Sequence, residues 1–136
     1  MKFLWSFFLL FSIGLSAQVR LEVETLGVSA SEGFVCVALY TEEDGFLKFD
    51  RVYRSERAPA RKGATRVVIE DLPEGEYALA VFHDKNSDEV LNTNWLGIPK
   101  EPLGFSRARM KAFGPPGFRE CLVSVEGDTT IEITLE

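Results

Sequence analysis

Twelve consecutive residues hold most of the side chains in this sequence that can do chemistry together: His83-Asp84-Lys85-Asn86-Ser87-Asp88-Glu89-Val90-Leu91-Asn92-Thr93-Asn94. With Asp84 as position 1 of a calcium loop, Asn86 falls at position 3 and Asp88 at position 5. Val90 offers its backbone carbonyl at position 7, and Asn92 a side-chain or water-mediated oxygen at position 9. That spacing wraps oxygen ligands around Ca2+, a hard cation. The match is incomplete. Glu89 stands where the turn takes Gly, and Trp95 where a bidentate Glu closes the shell at position 12. Only Asp84 and Asp88 bring charge at the matched positions, so the expectation is weak binding, at about 10⁻⁴–10⁻³ M as in extracellular modules. The competing reading is an Asx-rich loop whose side chains bond their own backbone.

His83 is the only histidine, and it sits beside Asp84. A His–Asp base with Ser87 or Ser106 as hydroxyl can be drawn, but no nucleophile elbow or oxyanion nest surrounds it. A lone His in this position more often fixes a loop by a hydrogen bond. One His and two distant Cys compose no zinc motif. Cys36 and Cys121 both fall in strand-like segments, and two readings stay open: a disulfide, or buried free thiols. Trp95, Phe105 and Phe113 lie in runs punctuated by Pro and Gly. They form either a fixed cover over one end of the domain or a ligand platform that stacks on a sugar or grips a peptide. Burial separates the two, because a sealed ring cannot stack on a ligand.

The elements that position these groups read as strands. In residues 19–24, Val19, Leu21 and Val23 alternate with Arg20, Glu22 and Glu24, the pattern of a half-buried strand. Residues 33–40 are apolar on both parities, which predicts a central strand covered on both faces or capped by a loop. Residues 65–72 and 76–82 form a hairpin about Pro73-Glu74-Gly75, with Tyr77 as an anchor whose hydroxyl needs a partner. Residues 118–125 and 129–135 alternate around a turn at Glu126-Gly127-Asp128. Residues 57–63 read as a connection, and 106–112 as a short helix with Ser106 at its N-cap. Six or seven short strands, with no helix-length periodic segment, predict one all-β antiparallel sandwich, or a closely related open barrel, with a long ordered loop cover at 83–117.

Residues 1–17 stand apart from this domain of 18–136. Lys2, a run from Phe3 to Leu15 and the exit Ser16-Ala17 make a secretory signal peptide, shorter than a bilayer span. Export to the periplasm, cell surface or medium is the expectation, with no transmembrane segment after cleavage. Losing Lys2 takes the net charge from −6 to −7, which disfavours nucleic acid and anionic membranes as partners. Against that background Arg51, Arg54, Arg57, Arg61, Lys62 and Arg66 form a basic tract, read either as balancing surface charge or as a dock for an anionic partner.

Four strings together resemble a known family: 72–78 (Leu-Pro-Glu-Gly-Glu-Tyr-Ala), 83–86 (His-Asp-Lys-Asn), 96–106 and 114–118 (Gly-Pro-Pro-Gly-Phe). They are similar to the bacterial domain-of-unknown-function family 2141, over essentially all of residues 18–136. The resemblance implies a small exported protein with a transthyretin-like or immunoglobulin-like sandwich, and it implies no activity. The family's loop typically reads His-Asp-x-Asn-x-Asn-Gly-x-Leu-Asp-x-Asn. This chain keeps His83, Asp84, Asn86, Leu91 and Asn94, with Asp88 for the second Asn, Glu89 for Gly and Asn92 for Asp. Loss of the Gly and one carboxylate weakens any metal role. Arg107 and Arg109 add charge where relatives more often carry small polar residues. The function expected is a noncatalytic envelope module that binds an envelope protein, peptide or glycan. The alternative is a metal-dependent or His83-assisted hydrolase acting on envelope carbohydrate or peptide.

Overall fold

Alternation of apolar and polar side chains dictates most of what forms. The computed structural model describes residues 17–88 and 101–136. Among these, the strands are β1 (Gln18–Val28), β2 (Phe34–Tyr40), β3 (Arg54–Pro59), β4 (Gly63–Pro73), β5 (Gly75–Asp84), β6 (Leu103–Phe105), β7 (Leu122–Val125) and β8 (Thr129–Thr134). A 3-10 turn at Phe49–Arg51 and a one-turn helix α1 (Phe118–Cys121) complete the described elements. In β1, Val19, Leu21 and Val23 are buried while Arg20 faces water, as the period of two requires.

Two sheets result. The first has the order β4–β1–β8, with β1 antiparallel to β4 and parallel to β8. The second runs β3–β2–β5, and the far edge of β5 is shared between β6, opposite residues 80–82, and β7, opposite residues 75–78. All its pairings are antiparallel. Leu21, Val23, Val67, Ile69 and Ile133 of the first sheet share one buried cluster with Val35, Val37, Leu39, Leu79 and Val81 of the second. Each fully buried aliphatic side chain contributes roughly 1.5–3 kcal/mol relative to exposure. The opposite face of the second sheet carries its own apolar layer, in which Tyr40, Ala78, Phe105 and Cys121 are buried beneath Phe46, Leu47, Met110 and Phe118. β2 is therefore covered fully on its inner face, and on its outward face at Tyr40, beneath the loop that follows it.

Polar groups close the corners. The Tyr77 hydroxyl donates to the Pro73 carbonyl at 2.5 Å across the β4–β5 turn, which is the partner its burial demands. Thr65 Oγ1 accepts from the Arg61 amide at 2.8 Å and donates to the Arg61 carbonyl at 2.9 Å, fixing the β3–β4 turn. At the other seam Leu103 and Glu136 exchange backbone hydrogen bonds of 3.4 and 2.9 Å, tying β6 to the chain's end.

The structure departs from the sequence pattern in six places. Residues 65–72 and 76–82 form no hairpin: β5 has β2 on one edge and β6 and β7 on the other, so the Pro73-Glu74-Gly75 turn carries the chain from the first sheet to the second. The sandwich is not wholly antiparallel, because β8 enters the first sheet from the second and lies parallel to β1. A short strand, β6, forms inside the 83–117 stretch read as loop, where β5 offers it a free edge. Arg54–Pro59 is a strand, β3, where residues 57–63 read as a connection. It lies at a sheet edge, where a proline removes no ladder bond that the sheet needs. No helix forms at 106–112. Ser106 is buried, and its backbone amide donates to the Leu79 carbonyl at 3.1 Å instead of starting a helix. Residues 118–121, read as the start of a strand, form α1 because the Glu120 carboxylate reaches back to the Gly117 amide at 2.6 Å. β7 begins only after that turn.

Gly104 shows how tight the β6–β8 seam is: a Cβ there would lie 2.5 Å from the Thr134 carbonyl oxygen and 2.8 Å from Ile133 Cγ2. Gly104→Ala is expected to cost about 1–3 kcal/mol, because backbone must move to admit one methyl group. Urea unfolding at fixed pH measures the difference, and an unchanged midpoint would contradict this account of the seam.

Candidate functional site

β5 carries side chains to two separate places. On its inward parity, His83 is fully buried at the end of the core. Its Nε2 lies 2.7 Å from the Glu32 carbonyl, which can only accept, so Nε2 carries the proton. Nδ1 then finds no partner among the described residues. The ring pins the β1–β2 turn to β5, the loop-fixing role expected of a lone histidine. Gly33, at φ +70°, belongs to the same junction: a Cβ there would sit 2.0 Å from the Asp84 carbonyl oxygen. Only glycine lets the two backbones meet.

On the outward parity, Asp84 is buried at the strand's end. Its Oδ1 accepts the Asp88 amide at 3.2 Å, Asn86 Oδ1 accepts the same amide at 3.4 Å, and Asn86 Nδ2 donates to Asp88 Oδ2 at 3.1 Å. These are the local bonds of an Asx-rich turn. The turn also gathers carboxylates, because ligand oxygens of Asp84, Asp88 and Glu101 all lie within 4.8 Å of one another. Asp84, Asn86 and Asp88 are thus brought together as the spacing predicts. Val90, Asn92 and Trp95 lie outside the described residues. Glu101 escaped the sequence reading, since no loop spacing reaches it. It arrives because the His83 amide donates to the Pro102 carbonyl at 3.1 Å, which seats the chain before β6 alongside β5. The donors are all oxygen, a set that suits a hard cation and not zinc.

The second place is a cleft of about 580 Å³ on the outer face of the second sheet. Its floor is shallow in side-chain volume because Ala38 of β2 faces Ala80 of β5 in register. Tyr40, Leu47 and Phe49 make one wall, and Leu103, Phe105 and Met110 the other. Phe105 is sealed into that wall, so its ring is structural; Phe113, at the rim, is fully exposed. Phe113 rides a tight hairpin closed by the Lys111 and Gly114 backbones at 2.8 and 3.3 Å. The sequence placed Phe105 and Phe113 among candidate ligand contacts, and the fold brings both to this cleft. It gave no sign of Ala38 and Ala80, whose smallness becomes meaningful only once the strands are paired.

Ser106 anchors the wall. Its hydroxyl donates to the Cys121 carbonyl at 2.5 Å and accepts the Leu79 amide at 2.9 Å, joining wall, α1 and β5 at one buried atom. Cys121 and Cys36 are not bridged. Cys121 is buried against the outer face, and burial, with Glu120 adding to it, pushes its thiol up to about 11. A hydrogen bond from Lys111, then one from the Gly117 amide, holds the Glu120 carboxyl below its ordinary range.

Several side chains of the basic tract have close partners. Arg51 approaches Glu42 and Asp44 at 3.7 and 3.8 Å, Arg54 reaches Glu56 at 3.3 Å, and Arg66 lies 3.6 Å from Glu22. The Arg57 guanidinium stands 4.2 Å over the Phe34 ring. Arg51, Arg54 and Arg66, from a loop, β3 and β4, are thus paired with nearby carboxylates.

With this geometry in place, comparison with protein-family models gives a match over residues 23–133 to an uncharacterized protein conserved in bacteria, DUF2141. The chain belongs to that family. Searches of curated proteins and of solved structures give no significant match. DUF2141 membership brings no activity with it. Among the described residues no helix is long and apolar enough to cross a membrane.

The Cys121 thiol makes a pH prediction. Between the ordinary thiol value of 9.0 and about 11, the native state holds a proton that the unfolded chain has lost, so stability falls as pH rises through that window. The loss amounts to about 2–3 kcal/mol and is fully developed only above pH 11. Melting curves of the protein and of Cys121→Ala should therefore converge as pH rises from 9. Parallel curves across that range would show that the thiol is not held protonated.

Proposed function

We propose that this chain is an exported, noncatalytic module of the immunoglobulin-like or transthyretin-like sandwich kind, whose binding face is the Ala38–Ala80 cleft. The observation that carries this reading is the cleft itself, about 580 Å³ with a largely apolar lining and exposed Phe49 and Phe113 rings beside it. Its size falls within the roughly 300–1,000 Å³ of sites that take small ligands or single anchoring side chains. Exposed apolar side chains gathered beside an apolar cleft, unlike ones scattered singly, mark an interaction surface. The occupant is an apolar or aromatic group presented by an envelope protein, peptide or glycan. Export rests on the leader-like residues 1–17, and the workplace is the periplasm or the cell surface.

A noncatalytic role is supported by how His83 is spent: its ring is buried and Nε2 is committed to the Glu32 carbonyl. The alternative, a hydrolase, needs that ring beside substrate. Its remaining support is the carboxylate corner, which serves the module equally well as a structural calcium site.

An environment-sensitive apolar dye tests the cleft. Binding with enhanced fluorescence is expected, and Ala80→Trp, which fills the floor, should weaken it by at least about tenfold while circular dichroism stays unchanged. Equal dye binding by a folded Ala80→Trp variant would place the binding face elsewhere.

Calcium at Asp84, Asp88 and Glu101 is the second component of the reading, carried by the 4.8 Å convergence of their oxygens. A dication there relieves the repulsion of three carboxylates. At about ten times its dissociation constant it should stabilise the fold by about 1.4 kcal/mol, raising the melting temperature by a few degrees. Glu101→Gln should remove most of that rise. A melting temperature indifferent to about 10 mM calcium would delete the ion from the reading.

A further inference from the structure

We propose that the occupant of the cleft is the Phe113 hairpin of a second copy of this chain, inserted reciprocally about a two-fold axis. This inference rests on the cleft being the binding face and names its partner.

Three observations point to a copy. The first is shape. Phe113 is fully exposed at the tip of a hairpin whose backbone is closed by two hydrogen bonds and followed by Pro115-Pro116. Such a tip loses little conformational freedom when it docks. The second is adjacency: the ring stands at the rim of an apolar trough floored by Ala38 and Ala80. Knob and hole lie side by side on one surface, so a two-fold rotation sets each knob over the partner's hole, the self-complementary arrangement of an isologous dimer.

The third is charge. The cleft is bordered by two loops of opposite sign. Residues 41–51 carry Glu42, Glu43, Asp44 and Asp50 against Lys48 and Arg51, whereas residues 107–120 carry Arg107, Arg109, Lys111 and Arg119 against Glu120. A two-fold rotation lays the basic border of one copy on the acidic border of the other, twice. An anionic surface matches only one border and is repelled by the other. The existing pairs, such as Arg119 with Glu43 at 3.6 Å and Lys111 with Glu120 at 2.7 Å, are solvent-exposed. Exposed pairs of this kind exchange partners at little cost.

The test is the mass of the purified protein across concentration, by sedimentation equilibrium. A monomer–dimer equilibrium is expected below about 1 mM. Phe113→Asp, at a fully exposed position that leaves folding alone, should weaken dimerisation by at least about tenfold, and Ala80→Trp should do the same from the other side of the contact. Mixing the two variants restores one of the two insertions, so the mixture should dimerise more tightly than either variant alone. A single monomeric mass at every concentration overturns the proposal, as does a Phe113→Asp variant that dimerises unchanged. If that monomer still binds the apolar dye in an Ala80-dependent way, the second copy falls while the cleft survives as the binding face.

Discussion

Strands β2 and β5 lie side by side from the pair Phe34–Asp84 to the pair Tyr40–Ala78, apolar on both faces, and water must be kept from each face by a different part of the chain. The inner face is easy. β1, β4 and β8 supply a second sheet whose aliphatic side chains interleave with Val35, Val37, Leu39, Leu79 and Val81. The outer face has no sheet to meet it. Loops must do the work, and loops bring backbone polar groups that need partners. Ser106 answers one such need with a buried hydroxyl that serves both the Leu79 amide and the Cys121 carbonyl. Phe46 answers another by lying edge-on to Tyr40 and to Phe118, at 5.3 and 5.7 Å between ring centres. Coverage by loops is incomplete where the floor residues are alanines, and the cleft is that gap.

The same ribbon sets the carboxylate corner. β5 ends at Asp84 because the turn behind β1 must pass Gly33 against the Asp84 backbone, and His83 fastens that crossing through Glu32. A residue with a Cβ at position 33 has no room, so the corner is as rigid as the strand that ends there. Rigidity of this kind is what lets carboxylates on separate segments sit close together.

Much of this was legible in the residues. Val19, Leu21 and Val23 announced β1, Pro73-Glu74-Gly75 announced a turn but not that it passes from one sheet to the other, and the lone His83 read correctly as a loop fastener. What stayed hidden depends on pairing across sequence distance. β3 has no apolar alternation, since its inward neighbours are few and its edge is wet, and it exists because β2 offers it a ladder. β6 is three residues long, below any periodic signal, and is held by Ala80 to Phe82 on one side and by Glu136 on the other. Glu101 joined the carboxylates through that same short strand. α1 was masked by alternation at 118–125 that the Gly117–Glu120 contact overrides locally.

The corner and the cleft share parts, and under the proposed function that makes them one device. Phe82, in the cleft, and Asp84, in the corner, are two residues apart on the same face of β5. Leu103, in the cleft wall, and Glu101, in the corner, are two residues apart on the segment that β5 holds through Pro102 and β6. A cation bridging Asp84 and Glu101 clamps β6 onto β5 at the open end of the wall. Anything seated against Leu103 and Phe105 presses the same two strands together from the other end. Each event therefore lowers the ordering cost of the other, which is positive coupling in the thermodynamic sense and must be equal in both directions.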